Sequence, residues 1–196
     1  WIELEIGYAT CRAARITYVG ERGFELYMPT EMAAHAFEQV REAGADHGLR
    51  LAGYHTLDSC RIEKAFRHWG HDIGPDETPL EAGLGFAVKS QAAYIGRDAI
   101  ERQREEGVTR HMVQFRLDDP AEHLFHDEAI WLDGELVGRI PSGNYGHYLG
   151  GAIGMGYLPV ALAMEEKFTI QIGNRMVPAC ASLKPLYDPG SARVRG

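Results

Sequence analysis

Residues 167–183 read KFTIQIGNRMVPACASL: two short strand-like runs on either side of Gly173-Asn174. Glycine and asparagine tolerate a positive φ, so this dipeptide reads as a hairpin turn with a physical cause. The same grammar extends backwards through the second half of the chain. Asp133-Gly134 is a second turn of this kind, and VTRHMVQFRL (108–117), EAIWL (128–132), ELVGRI (135–140) and GAIGMGYL (151–158) are further short runs. Six strands in a meander, rich in glycine, predict a small antiparallel β-barrel over residues 108–196. The last nine residues, DPGSARVRG, read as a loose tail.

Upstream of the barrel the pattern changes. IGRDAIERQREEG (95–107) is a charged, exposed helix that serves as a linker. Before it, residues 1–94 mix strands and helices, an α/β layer that makes the whole chain α+β. One helix follows Pro29, with Thr30 as N-cap and Met32, Ala33, Ala36, Phe37 and Val40 at helical spacing, and Gly44 or Gly48 stops it. A second helix is predicted over 56–68, with Ile62, Ala65, Phe66 and Trp69 as its apolar stripe and Arg61 at the edge of the buried face. GHDIGPDETPLEAG is turn-rich, and LGFAVK (84–89) reads as a buried strand.

YVGERGFELY (18–27) reads as a hairpin around a Gly20–Gly23 loop, pairing Val19 with Phe24 and Tyr18 with Glu25. That register sets a carboxylate beside a tyrosine ring, either as an edge-strand decoration or as a ligand site.

Composition excludes several classes. The chain has 196 residues, 45% of them hydrophobic, enough for a core. A formal charge of −8 argues against nucleic acid or an anionic membrane as the main partner. No apolar run reaches the roughly 20 residues of a membrane helix. Cys11, Cys60 and Cys180 are widely spaced and read as reduced thiols in a cytoplasmic compartment. The sequence opens on Trp1 and runs straight into strand-like residues, which reads as part of a longer polypeptide.

Other motifs carry little chemistry. His68, His71 and Asp72 cluster in HWGHD, but the spacing matches no zinc pattern and favours local hydrogen bonding. GLGFAV and GAIGMG do not complete a dinucleotide fingerprint, and Ser59 and Ser142 lack a nucleophile-elbow context. SGNYGHYLGG reads as a flexible loop of the barrel.

Three longer stretches carry a family resemblance. RITYVGERGFELYMPTE (15–31), LDSCRIEKAFRHWGHDIGPDETPLEAGLGFAVK (57–89) and SGNYGHYLGGAIGMGYLP (142–159) resemble the aminomethyltransferase (glycine-cleavage T-protein) family. The middle stretch is most similar to the folate-binding C-terminal module of sarcosine and dimethylglycine dehydrogenases. The resemblance implies a partial folate-binding domain over 1–94, a one-carbon transfer from a small amine to tetrahydrofolate, and FAD only in a separate N-terminal domain. It places the family's pterin-gripping glutamate of GxxGxE on Glu25, a tyrosine on Tyr18 and a motif arginine on Arg61. A carboxylate suits the pterin because its pyrimidine edge offers a ring N–H and an amine side by side, a bidentate charge-assisted pair. Arg61 is open to two readings, a folate carboxylate or a structural pair with Asp58. Related demethylases and a non-catalytic folate-binding module remain as alternatives.

The family's catalytic aspartate lies in the N-terminal half of the folate domain, and this sequence aligns from midway through it. No residue here is nominated as acid or base, and the chain by itself is expected to be inactive. An incomplete α/β layer exposes apolar surface, so self-association is expected. Sedimentation at high concentration should show oligomers; a clean monomer would count against this.

Overall fold

The computed structural model describes residues 1–89, 91–165 and 167–196. The N-terminal part is a three-stranded antiparallel sheet, β1 (Ile2–Ile6), β2 (Ala9–Ala14) and β3 (Glu25–Tyr27), in the order β1-β2-β3. Along β2 the small residues Ala9, Cys11 and Ala13 alternate onto the buried face. Their size lets Ala36 of helix α1 (Ala33–Gly44) press against the sheet. A 3-10 turn at Thr30–Met32 precedes α1, and the Thr30 hydroxyl makes no capping bond, contrary to its expected N-cap role. Beyond α1 a further 3-10 turn ends at Gly48, which takes the left-handed conformation.

The predicted hairpin of residues 18–27 is not formed. Residues 15–24 are irregular, and Glu25 pairs instead with Ala14 on β2. The apolar alternation that suggested two strands belongs to one short strand and one loop. Helix α2 (Tyr54–Glu63) is also shorter than expected. It stops because Ala65 turns left-handed (φ 55°), with Ala65 N–H donating to Ile62 O at 3.0 Å and Phe66 N–H to Arg61 O at 2.9 Å. This pair of bonds is the usual double closure of a helix C-terminus, here with alanine where glycine is commoner. The expected strand at 84–89 is a 3-10 turn at Gly85–Ala87, with Phe86 87% exposed. A short apolar run without a neighbouring strand edge has no ladder to join.

Helix α3 (Arg97–Glu106) leads into a seven-stranded antiparallel sheet. Its strands are β4 (Arg110–Leu117), β5 (Ala129–Leu132), β6 (Glu135–Arg139), β7 (Ser142–Gly146), β8 (Gly151–Pro159), β9 (Lys167–Ile172) and β10 (Arg175–Ser182). The order is β6-β5-β9-β10-β4-β8-β7, so the connectivity is not a meander and the SGNYGHYLGG stretch supplies a strand rather than only a loop. Both turn dipeptides behave as predicted: Asp133 and Gly134 have φ of 50° and 84°, and Gly173 has 58°.

The sheet curls into a half-barrel around Val113, Phe115, Leu117, Ile130, Phe168, Ile170 and Val177, with the Phe115 and Phe168 rings edge to face at 5.6 Å. Curling brings β6 onto β8. A Cβ on Gly156 would stand 2.5 Å from the Arg139 carbonyl oxygen, and one on Gly138 would stand 2.6 Å from that of Tyr157. Only glycine permits that approach. On the outer face of β4 and β8, Met112, Ile153 and Met155 pack on Ile62 of α2. The expected loose tail is instead ordered into a short helix, α4 (Ala192–Arg195), docked on the N-terminal part. Among the described residues no helix is long and apolar enough to cross a membrane.

Backbone oxygens cannot rotate away from an added methyl, so Gly156→Val should cost about 1–3 kcal/mol of stability. Urea unfolding of this variant should show a lowered midpoint. Gly190→Ala, whose Cβ would meet nothing within 4 Å, should stay within about 0.5 kcal/mol of the parent.

Candidate functional site

The C-terminal turn of α2 gathers charge that the core buries. Arg61 is 2% exposed and its guanidinium is filled by protein partners. Nε donates to Asp58 at 2.7 Å, one terminal nitrogen to Asp72 at 2.5 Å and to Phe66 O at 3.2 Å, and the other to Ser142 Oγ on β7 at 3.0 Å. Arg61 makes the pair with Asp58 that was one of the two readings open from sequence, and Asp72 joins as a second carboxylate. Asp72 also accepts the His68 amide at 2.8 Å, which is the local bonding expected of HWGHD. Among the described residues no group of three or more His, Cys, Asp or Glu is placed to hold a metal ion.

Burial works against the Arg61 charge, but Asp72 and Asp58 outweigh it and hold the guanidinium above its ordinary pKa. Asp58 shows the opposite balance. Burial would raise its pKa, yet hydrogen bonds from Asn144 (2.9 Å) and Arg61, with the Arg61 charge, hold it below the usual carboxylate range.

Tyr18 stands beside this cluster. Its hydroxyl donates to Arg67 O at 2.9 Å, its ring stacks on Phe66 with centroids 6.3 Å apart, and burial raises its pKa. Glu25 lies elsewhere, half-buried on β3, where its carboxylate accepts the Tyr27 hydroxyl. The structure therefore brings Tyr18 to Arg61, and no hydrogen bond among the described residues joins Glu25 to either. The aromatic neighbour of Glu25 is Tyr27, two residues on along the strand, and the Tyr27 ring in turn lies 5.0 Å from that of Trp1. Tyr27 was legible as a same-face partner from strand period alone; the Tyr18 register obscured it.

Between α2 and the half-barrel lies a cleft of about 350 Å³, with Asp58, Arg61 and Asn144 at its base. Five imidazoles line it: His55, His68 and His71 on one side, His123 and His126 on the other. His68 and His71 stack at 4.7 Å, and His123 packs against Tyr145 at 5.5 Å. Both Asp58 oxygens are already engaged, so the base is a satisfied network, and the imidazole and tyrosine rings are what the cleft offers to a planar or acidic molecule.

Because the Asp58 pKa is lowered by folding, the unfolded chain takes up its proton first on acidification. Its contribution is complete above about pH 4 and is lost as pH falls through the lower folded value. Urea midpoints measured from pH 7 to pH 3 should fall for the parent chain, and Asp58→Asn should lower the midpoint at pH 7 and flatten that fall.

Residues 1–92 match the family described as the GCVT N-terminal domain, and residues 110–188 match the glycine cleavage T-protein C-terminal barrel domain. The chain is 42% identical over 197 residues to a 4-methylaminobutanoate oxidase (formaldehyde-forming) of Paenarthrobacter nicotinovorans, an alignment covering 100% of this chain and 24% of that protein. It is 38% identical over 195 residues to the mitochondrial sarcosine dehydrogenase of Homo sapiens, covering 94% and 21%. The fold matches the crystal structure of glycine cleavage system aminomethyltransferase T from Bartonella henselae with a TM-score of 0.82 at 26% identity, over 90% of this chain and 50% of that one. The chain thus spans about a quarter or less of the two curated relatives and half of the solved structure. It belongs to the aminomethyltransferase (glycine-cleavage T-protein) family, with sarcosine dehydrogenase among its relatives.

Proposed function

We propose that this chain is part of a tetrahydrofolate-binding module that receives a one-carbon unit from an N-methylated amine. The observation that carries this reading is the GxxGxE pattern of Gly20, Gly23 and Glu25 within a stretch that matches the family. The carboxylate it presents is half-exposed on β3 and bonded by the Tyr27 hydroxyl, with the Tyr27 ring packed against Trp1. A pterin's flat face and its paired N–H donors suit that setting. Tetrahydrofolate, when bound, supplies the nitrogens that accept the carbon; Glu25 holds and orients the ring edge. Tyr27 takes over the neighbouring role first assigned to Tyr18, while Tyr18 and Arg61 support the folate site from the α2 cluster.

Two relatives carry names that point to the donor. One is an oxidase of a methylamino acid described as formaldehyde-forming, and the other oxidises sarcosine, itself an N-methyl amine. In this reading the flavin that oxidises the amine is held by residues outside these 196, and FAD is not a ligand of this chain. Residues 1–94 form the folate-side domain, 95–107 the linker and 108–196 the barrel domain. The unpaired cysteines suit a reducing compartment such as the cytoplasm.

Titration of tetrahydrofolate into the protein and its variants tests the reading. Glu25→Gln keeps the shape but opposes an amide donor to a ring donor. Charge-assisted bonds contribute roughly 1.5–3 kcal/mol, so affinity should fall about tenfold to a hundredfold. Tyr27→Phe should cost less, since only the hydroxyl beside Glu25 is lost. Unchanged affinity in Glu25→Gln would sink the pterin reading.

A further inference from the structure

The loop of residues 15–24 makes few bonds of its own: the Ile16 amide reaches Ala14 O at 3.0 Å and the Val19 amide reaches Thr17 Oγ1 at 3.2 Å. Its other bonds run outward, and most of them end on the C-terminal segment. Glu21 is held at both oxygens, Oε1 by the Tyr187 hydroxyl and Oε2 by Arg193 Nε at 3.1 Å. Arg15 donates to the backbone oxygen of Arg195 at 3.1 Å. Gly20 (φ +76°) lies over the stem of Lys64, close enough that a Cβ would meet it at 3.1 Å.

Lys64 is what anchors the other side. It is 2% exposed, and its ammonium donates to the Asp188 carboxylate at 3.1 Å and to the Asp188 backbone oxygen. The same carboxylate accepts the Ala192 and Arg193 amides at 2.9 and 3.1 Å, which turns the chain so that the Arg193 side chain meets Glu21. A buried lysine needs an anionic partner, and Asp188 is that partner. The Glu21–Arg193 pair is solvent-exposed and contributes little by itself. Its effect comes from being built on the Lys64 anchor.

We propose that residues 187–195 form a strap that clamps the 15–24 loop, and that Glu21 is a positioning residue for Tyr18 and Glu25 on either side of it. The clamp stands on its own geometry; the positioning role rests on the pterin reading.

Hydrogen–deuterium exchange on the 196-residue chain tests the clamp, and tetrahydrofolate titration of the same samples tests the positioning. Arg193→Glu should raise exchange of the hydrogen-bonded Ile16 and Val19 amides about tenfold while the urea midpoint stays put. Glu21→Arg should do the same and also loosen 188–195. The double reversal, Glu21→Arg with Arg193→Glu, should restore protection, which a merely structural loss at either position would not allow. Folate affinity should fall and recover in step with loop protection. Unchanged exchange at Ile16 and Val19 in Arg193→Glu overturns the strap, whatever folate does. Raised exchange with unmoved affinity overturns the role of Glu21. Absence of folate binding in the parent chain and all variants overturns the positioning role along with the pterin reading, while the exchange data still decide the strap.

Discussion

The pairing of Arg61 with Asp72 is the contact on which the rest of the molecule leans. Both side chains are removed from water, at 3% and 0% exposure. Removing one partner of such a pair strands the other charge in the interior, a loss of about 3–5 kcal/mol. The pair does more than neutralise itself. Through Arg61 it reaches Asp58, Ser142 on β7 and the carbonyl of Phe66; through Asp72 it fixes the backbone at His68. Tyr157 of β8 donates to the Asp72 carbonyl at 3.0 Å. One ion pair thus ties helix, loop and half-barrel together.

Its neighbours repeat the theme. Glu63 is buried and accepts the amides of Tyr148 and Leu149 at 2.7 and 3.0 Å, while Lys64 holds Asp188. Gln114 on β4 donates to the carbonyls of Ile62 and Glu63 and accepts the Leu186 amide. These ionic and amide bonds meet within one turn at a helix end whose carbonyls would otherwise lack partners. Burying so many charges costs desolvation, which these bonds offset, although Oδ1 of Asp72 is left without a hydrogen-bond partner among the described residues. The candidate folate-side residue Tyr18 borrows its position from this same cluster.

How much of this was legible depended on the range of the interaction. Six of the seven strands of the half-barrel, and the turns at Asp133-Gly134 and Gly173-Asn174, are local, and the sequence carried them; β7 reads as a loop. The order of the strands is not local, and nothing in the runs themselves tells β4 to sit between β8 and β10. Ala65 hid the end of α2, because alanine gives no warning of a left-handed residue and the stop is imposed by what surrounds it. The hairpin at 18–27 failed for the same reason: Glu25 found its strand partner in Ala14, while Glu21 found its own in the tail. Arg61 could be placed at a buried edge from helical spacing, but Asp72 and Ser142 could not be named as partners. The cleft histidines come from segments that only tertiary packing unites.

The capping of the 146–149 turn by Glu63 makes the end of α2 and the half-barrel depend on each other across a long stretch of sequence. Donor and acceptor lie 85 and 86 residues apart in sequence, and Gln114 spans a further 51 and 52 to the same helix end. Closing loops of that length is slow, and neither side gains from its half of the contact before the other arrives. A half-barrel formed ahead of the helix would hold the Gln114 amide and the turn amides without acceptors. The end of α2 and the half-barrel therefore complete these bonds together, and neither finds these partners alone.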